Sequence, residues 1–200
     1  MDSNIELISE IKKEALENKV PIMEDDGLNY VLKFLKEKDI KSLLEIGTAV
    51  GYSSICFASS KADLKIVTLE KDEVRYKKAL ENIHKVNLED RITAILTDAR
   101  EYTLDQQFDC LFLDGPKAHN QQLLENYSRN LKKGGYIVVD DVYFHGFVDH
   151  PETLNTPRLK PLVKKLTKFR NDMLNSSEYE SQYLEIGDGL LICRRREENE

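Results

Sequence analysis

The chain has 200 residues, of which 40% are hydrophobic and 32% charged, enough for one domain with a sizeable core. Its net charge of −7 excludes a general polyanion binder, and no apolar run reaches the length of a membrane span. The opening Met1-Asp2-Ser3-Asn4-Ile5-Glu6 lacks the basic-then-apolar pattern of a signal peptide. Cys56, Cys110 and Cys193 are scattered without disulfide or zinc spacing, so they read as buried thiols in a reducing, cytoplasmic setting.

Residues 1–40 read as helices, with one apolar stripe at Ile5, Ile8, Ile11 and Leu16 and another at Leu28, Val31, Leu32 and Leu35. Val20-Pro21-Ile22-Met23-Glu24 is an extended break between them. From Ser42 onward strand and helix alternate. Strands are predicted near 42–47, 65–70, 92–98, 108–114 and 136–140. The intervening helices are marked by Val74, Leu80, Ile83 and Val86, then by Leu123, Leu124, Tyr127 and Leu131, with Gly134-Gly135 as the stop for the latter. Continuous apolar runs such as Cys110-Leu111-Phe112-Leu113 imply strands buried on both faces, hence a parallel sheet covered by helices.

Leu159, Leu162, Val163, Leu166, Phe169 and Met173 predict one more amphipathic helix. Tyr183-Leu184-Glu185-Ile186 and Leu190-Leu191-Ile192-Cys193 then predict two strands joined by a tight turn at Gly187-Asp188-Gly189. The tail from Arg194 to Glu200 reads as a solvated end. The expected fold is one α/β domain over 1–200. N-terminal helices (1–40) precede a Rossmann-like three-layer core (42–194) with a mostly parallel seven-stranded sheet and a C-terminal antiparallel hairpin.

The segment Leu43-Leu44-Glu45-Ile46-Gly47-Thr48-Ala49-Val50-Gly51-Tyr52-Ser53-Ser54 is a strand, a glycine-containing turn and a helix start. It is not the dinucleotide fingerprint, because position 49 is Ala and the glycines are four apart. It is either a plain βα turn or a ligand loop, and as E-x-G-x-x-x-G it resembles motif I of class I S-adenosylmethionine (SAM) dependent methyltransferases.

Nearly every predicted strand ends in an acidic residue: Glu45, Glu70, Asp98, Asp114 and Asp140. Ligands of open α/β sheets bind outside these carboxyl ends. Glu70, about twenty residues after Gly51, can accept from both ribose hydroxyls, and Asp98 from an adenine amino group. Each reads equally as a cap for the helix that follows. Asp114, Asp140 and Asp141 put three carboxylates at adjacent strand ends, a charge that calls for a cation. An all-oxygen set suits Mg²⁺, with Mn²⁺ or Ca²⁺ as alternatives. Lys117 can reach the same cleft as a base or as an electrostatic guide.

Motif I, Glu70, Thr97-Asp98-Ala99, Asp114-x-x-Lys117 and Asp140-Asp141-Val142 occur in the order of the metal-dependent O-methyltransferases typified by catechol O-methyltransferase. Within that group the chain looks most like bacterial tRNA 5-hydroxyuridine methyltransferases, through Val20 to Glu24, the motif I loop, Val142-Tyr143-Phe144-His145-Gly146-Phe147-Val148 and Ile186 to Leu190. The resemblance implies SAM contacts from Met23, Ser53, Glu70, Asp98, Ala99 and Asp114, alongside Glu45 and Gly47 of the motif I loop. It also implies a Mg²⁺ site at Asp114, Asp140 and Asp141, and methyl transfer to the 5-oxygen of a wobble hydroxyuridine. Catalysis would fall to Lys117 and Asp114. The chain departs from the family in having Asp140-Asp141 where Asp-Asn is usual, and Gly115-Pro116 before Lys117 where Ala is common.

A small catechol-like phenol is the alternative substrate, and a non-catalytic SAM- or RNA-binding module the alternative class. The row Arg158, Lys160, Lys164, Lys165, Lys168 and Arg170 is either a solvated helix face or an RNA backbone contact. Met23 is either a core plug or a SAM contact. His119, His145 and His150 fall near the expected mouth and His84 on a helix. A homodimer completes the expectations.

Overall fold

The apolar runs become strands and the stripes become helices in the computed structural model, which describes residues 2–197. In chain order these are α1 (Asp2–Glu17), α2 (Asp25–Glu37), β1 (Ser42–Ile46), α3 (Tyr52–Ser60), β2 (Lys65–Glu70), α4 (Glu73–Lys85), β3 (Ile92–Leu96) and β4 (Phe108–Leu113). They continue as α5 (Asn120–Tyr127), β5 (Leu131–Val139), α6 (Lys160–Leu174), β6 (Tyr179–Leu184) and β7 (Leu190–Arg195). The seven strands run in the order β3-β2-β1-β4-β5-β7-β6. β1 pairs with β2, β2 with β3, and β4 with β5 in parallel; β7 runs antiparallel to both β5 and β6. This is the expected Rossmann-like arrangement with an antiparallel end. Among the described residues no helix is long and apolar enough to cross a membrane.

Two compact units make up the chain, Met1–Met23 with Leu28–Tyr102 and Glu24–Gly27 with Thr103–Glu200. In the first, Leu43, Leu44, Ile46, Ile66 and Leu69 from the strands bury against Ile55 and Phe57 of α3 and Ala79 and Ile83 of α4. Gly51 sits at φ +82°, a left-handed backbone that glycine adopts without strain, so the turn is what requires it. In the second, Phe108, Phe112, Ile137, Val138 and Leu191 form the strand core, closed by Phe169 and Met173 of α6. All three cysteines are buried and none is in a disulfide, and burial pushes the thiols of Cys110 and Cys193 up, the latter to about 11.

Three expectations need correction. Gly134-Gly135 does not stop a helix: α5 ends at Tyr127, and both glycines lie within β5. The β4–β5 register slips there, from Phe108↔Leu131 to Cys110↔Tyr136, and Gly134 at φ +70° takes up the bulge. The final hairpin does turn tightly at Gly187-Asp188-Gly189, where Gly189 N donates to Ile186 O at 3.0 Å, but its first strand is Tyr179–Leu184 and stops short of Glu185-Ile186. The tail is not solvated from Arg194 onward. Arg194 and Arg195 end β7, and the Arg195 guanidinium donates to Ser128 O and Leu131 O at 3.2 and 3.0 Å. The last part of that tail, 198–200, lies outside the described residues.

Candidate active site

Parallel pairing sets Glu45 of β1 beside Thr68 of β2. The Glu45 carboxylate is fully buried and accepts from Ser53 Oγ and Thr68 Oγ1, each at 2.5 Å, and from Ser54 Oγ. Burial pushes its pKa up, against the pull of these hydroxyls. Glu45 thus ties the start of α3 to the sheet and presents no surface to a ligand, and the Ser53 hydroxyl is engaged in the same tie. Thr68 also shares a 2.6 Å hydrogen bond with Thr48.

The loop after β1 has three left-handed residues, Gly47 at φ +109°, Ala49 at +47° and Gly51 at +82°. For Ala49 this backbone is uncommon and needs outside support. Glu70, the last residue of β2, supplies it by accepting from Ala49 N at 2.8 Å. Its other oxygen accepts from Lys71 N and Asp72 N, both at 2.9 Å. Asn82 of α4 adds a bond to Val50 O at 2.8 Å. After β3, Asp98 is gripped by Arg100 through Nε at 2.9 Å and through the backbone N at 3.0 Å, and this guanidinium holds its carboxyl well below the usual range. Ala99 follows in the same loop, half-buried, and Met23 is buried at 5% exposure.

In the second unit, Asp114 follows β4 and is half-buried, while Asp140 and Asp141 follow β5. Asp140 N donates to Leu113 O at 3.2 Å, which sets these acids beside the end of β4. Asp140 is 7% exposed, and burial together with the Asp141 charge pushes its pKa up to about 7. Lys117, on a 3-10 turn (Lys117–His119), reaches across and pairs with Asp141. With Gly115-Pro116 before it, Lys117 still reaches the acids that follow β5. The structure does not gather the three acids as a cage: among the described residues no three His, Cys, Asp or Glu side chains stand where they would hold a metal. The Lys117 ammonium provides the counter-charge instead.

The loop beyond is conformationally costly, with Asp141, Phe144 and His145 at φ +59°, +49° and +54° and Gly146 at +86°. It is held by the 185–189 connection: Val142 N donates to Gly189 O at 3.1 Å, Tyr143 N to Asp188 O at 2.8 Å, and His145 N to Asp188 Oδ1 at 2.6 Å. Burial pushes Asp188 up, opposed by the His145 N–H. The His145 ring stands 3.3 Å from the same carboxylate.

The description "O-methyltransferase" belongs to the family model that matches residues 2–196. The chain belongs to the O-methyltransferase family. It is 28% identical to a caffeoyl-CoA O-methyltransferase of Populus kitakamiensis over 185 residues, 88% of this chain and 77% of that protein. It is likewise 28% identical to a flavonoid 3′,5′-methyltransferase of Vitis vinifera, over 88% of this chain and 78% of that one. The crystal structure of a candidate caffeoyl-CoA O-methyltransferase from Staphylococcus aureus superposes with a TM-score of 0.89 at 30% identity, covering 94% of this chain and 91% of that one. The fold is shared as well by a Bacillus cereus O-methyltransferase solved with S-adenosylhomocysteine, at TM-score 0.81, 23% identity and coverages of 96% and 91%.

Among the features this O-methyltransferase shows beyond its sequence motifs, Asp188 is foremost. Its only sequence signal was the Gly187-Asp188-Gly189 turn, which names no partner 43 residues back. Ser54 and Thr68 were equally silent until the sheet register placed them on Glu45. Arg170 leaves the basic row. It is buried, paired with Asp149, and stacked 4.6 Å over the Tyr183 ring. Arg158, Lys160, Lys164, Lys165 and Lys168 remain exposed. His84 is exposed and bonded to Glu89.

Proposed function

We propose that this O-methyltransferase takes its methyl group from SAM, is assisted by a divalent cation, and acts on the 5-oxygen of hydroxyuridine at the tRNA wobble position. The observation that carries the transfer chemistry is Lys117 lying against Asp141, next in sequence to the buried Asp140. An ammonium held at the ends of two parallel strands suits an acceptor that reacts as an oxyanion. The tRNA reading rests on the sequence resemblance and on the exposed row Arg158, Lys160, Lys164, Lys165 and Lys168 of an otherwise acidic protein.

The residues fit the two small components. Glu70 has about four lone-pair sites and gives three to backbone amides, leaving one for a ribose hydroxyl of SAM. The left-handed loop 47–51 has glycines where a ligand would approach the backbone. Asp98 and Ala99 follow the next strand of the same sheet and would flank the adenine. Asp114, Asp140 and Asp141 are an all-oxygen donor set of the kind Mg²⁺ takes, although they do not converge as a cage and Lys117 already lies against Asp141. When bound, Mg²⁺ would favour the ionised form of the acceptor oxygen. Lys117, oriented by Asp141, would steer that oxygen, and SAM, when bound, would supply the methyl group and leave as S-adenosylhomocysteine. The sulfonium is already activated, so the chain's task is positioning.

A small catechol-like phenol is the second reading, favoured by the caffeoyl-CoA and flavonoid enzymes among the relatives. One assay separates the two. Labelled SAM is offered with an anticodon stem-loop containing 5-hydroxyuridine or with free catechols, with and without chelator. Transfer to the stem-loop alone supports the first reading and transfer to catechol alone the second. Full transfer in excess chelator overturns the metal assistance, and no transfer to either overturns both substrates.

A further inference from the structure

Within the second unit, a cavity of about 330 Å³ lies between the start of α5 and the body of α6. Lys117, Asn120, Lys165 and Lys168 line it, together with Glu125 and Asp172. Both carboxylates are engaged, Asp172 by Lys168 at 2.5 Å and Glu125 by the Gln121 amide at 2.8 Å. Lys117 is likewise engaged with Asp141.

Among the lining side chains, one ammonium and one fully buried amide have no acceptor. Lys165 is exposed and has no ion pair or hydrogen bond among the described residues. Asn120 is 3% exposed, and its side-chain NH₂ is buried with no acceptor. A buried donor without a partner costs about 1–3 kcal/mol, so native structures rarely keep one idle. An unpartnered ammonium and an unpartnered amide in one cavity call for a ligand with several acceptor oxygens and negative charge. Phosphate meets both demands, a neutral sugar or ring only one.

We propose that this cavity receives a phosphate group of the acceptor substrate, with Lys165 as its counter-charge and the Asn120 amide as a hydrogen-bond donor. The assignment to the acceptor rests on the transferase reading above, since the cavity shares Lys117 with the reacting groups. An RNA backbone and a phosphorylated carrier of a small phenol present the same chemistry.

The test uses the full chain, isotopically labelled, titrated with inorganic pyrophosphate while the Asn120 side-chain amide is followed by NMR. Saturable shifts are expected, weakened about tenfold or more in Lys165→Glu, the loss of one charge-assisted contact. Asn120→Asp, nearly isosteric but acidic, should lose binding while remaining folded. No saturable shift in the wild type, or unchanged affinity in folded Lys165→Glu, overturns the proposal. Displacement of pyrophosphate by oligouridylate places the phosphate on RNA, and displacement by ADP places it on a small carrier. Displacement by neither overturns the substrate assignment. Calorimetry with SAM on the same samples keeps the two readings apart. SAM binding without phosphate binding defeats this inference alone, whereas phosphate binding without SAM defeats the transferase reading and leaves the site standing.

Discussion

The Glu70 carboxylate accepts the backbone N–H of Ala49 at 2.8 Å, and Ala49 is a non-glycine residue held at φ +47°. The end of one strand therefore imposes on the neighbouring strand's loop a conformation that the loop's own sequence disfavours. In the proposed role Glu70 serves the donor twice, by shaping the loop and by meeting the ribose.

Glu70→Ala leaves the amides of Ala49, Lys71 and Asp72 without their acceptor. The expected loss of stability is about 1–3 kcal/mol by urea unfolding. SAM affinity should fall by about 1.5–3 kcal/mol as a charge-assisted bond disappears. Unchanged affinity in the folded variant, measured by calorimetry, would remove Glu70 from the donor site.

Glu45 gives the protein a pH signature. Its pKa is raised by burial, so the folded state holds the proton more tightly than the unfolded chain. Its stabilising contribution is full below about pH 4.3 and is lost as pH rises through the elevated folded value. Glu45→Gln keeps the shape and removes the titration, so its unfolding free energy should decline less over that window. Identical pH profiles for the two proteins would refute this account of Glu45.

The acids after β5 should separate by role. Asp141→Asn matches the Asp-Asn pair of the resembled family and keeps a side-chain oxygen that can accept from and orient Lys117, so activity should be retained without the ionic pair. Asp140→Ala should abolish turnover while leaving SAM affinity intact. Loss of activity in both variants, with folding preserved, would instead make the Lys117–Asp141 pair indispensable.

Arg170 anchors the loop after β5 through Asp149, whose carboxyl it holds below the usual range. That contribution is present above about pH 3.9 and is lost as pH falls. Arg170→Met should cost about 1–3 kcal/mol and flatten stability across the acid range. A double-mutant cycle with Asp149→Asn measures the coupling, and a coupling of zero would show that Arg170 acts only by packing on Tyr183.

The existence and order of the parallel strands were legible because buried strands read as continuous apolar runs with an acid near each carboxyl end. Strand limits were not: β5 begins at Leu131 and β6 at Tyr179, well before the expected starts. The motif I loop, Glu70, Asp98 and the Asp114–Lys117 spacing were legible because they are local in sequence. What escaped depended on register or on side-chain burial. Ser54 and Thr68 meet Glu45 only once β1 and β2 are paired. Arg170 looked like one more solvated base, yet it stands seven residues after Val163, on the same buried stripe as Leu166 and Met173. Gly134-Gly135 carried a helix-stop signal that the bulge in β5 uses instead.

Gly189→Ala should be severely destabilising. At φ +87° a side chain is strained by about 1–2 kcal/mol, and its Cβ would lie 2.6 Å from Tyr143 Cβ and 2.8 Å from Tyr143 N. Thermal unfolding of this variant beside Gly187→Ala, whose Cβ has 3.5 Å of room, isolates the steric share.

That close approach also limits how the family can diversify. Residues 141–145 and 185–189 are joined by backbone bonds from Val142 to Gly189 and from Tyr143 to Asp188, and by the His145 N–H on the Asp188 carboxylate. Neither loop can be lengthened or recoloured alone without breaking bonds made by the other. Changes of acceptor preference that pass through this loop should therefore arrive as paired substitutions in two distant stretches of sequence. A graft that transplants one stretch from a relative without its companion should fold poorly.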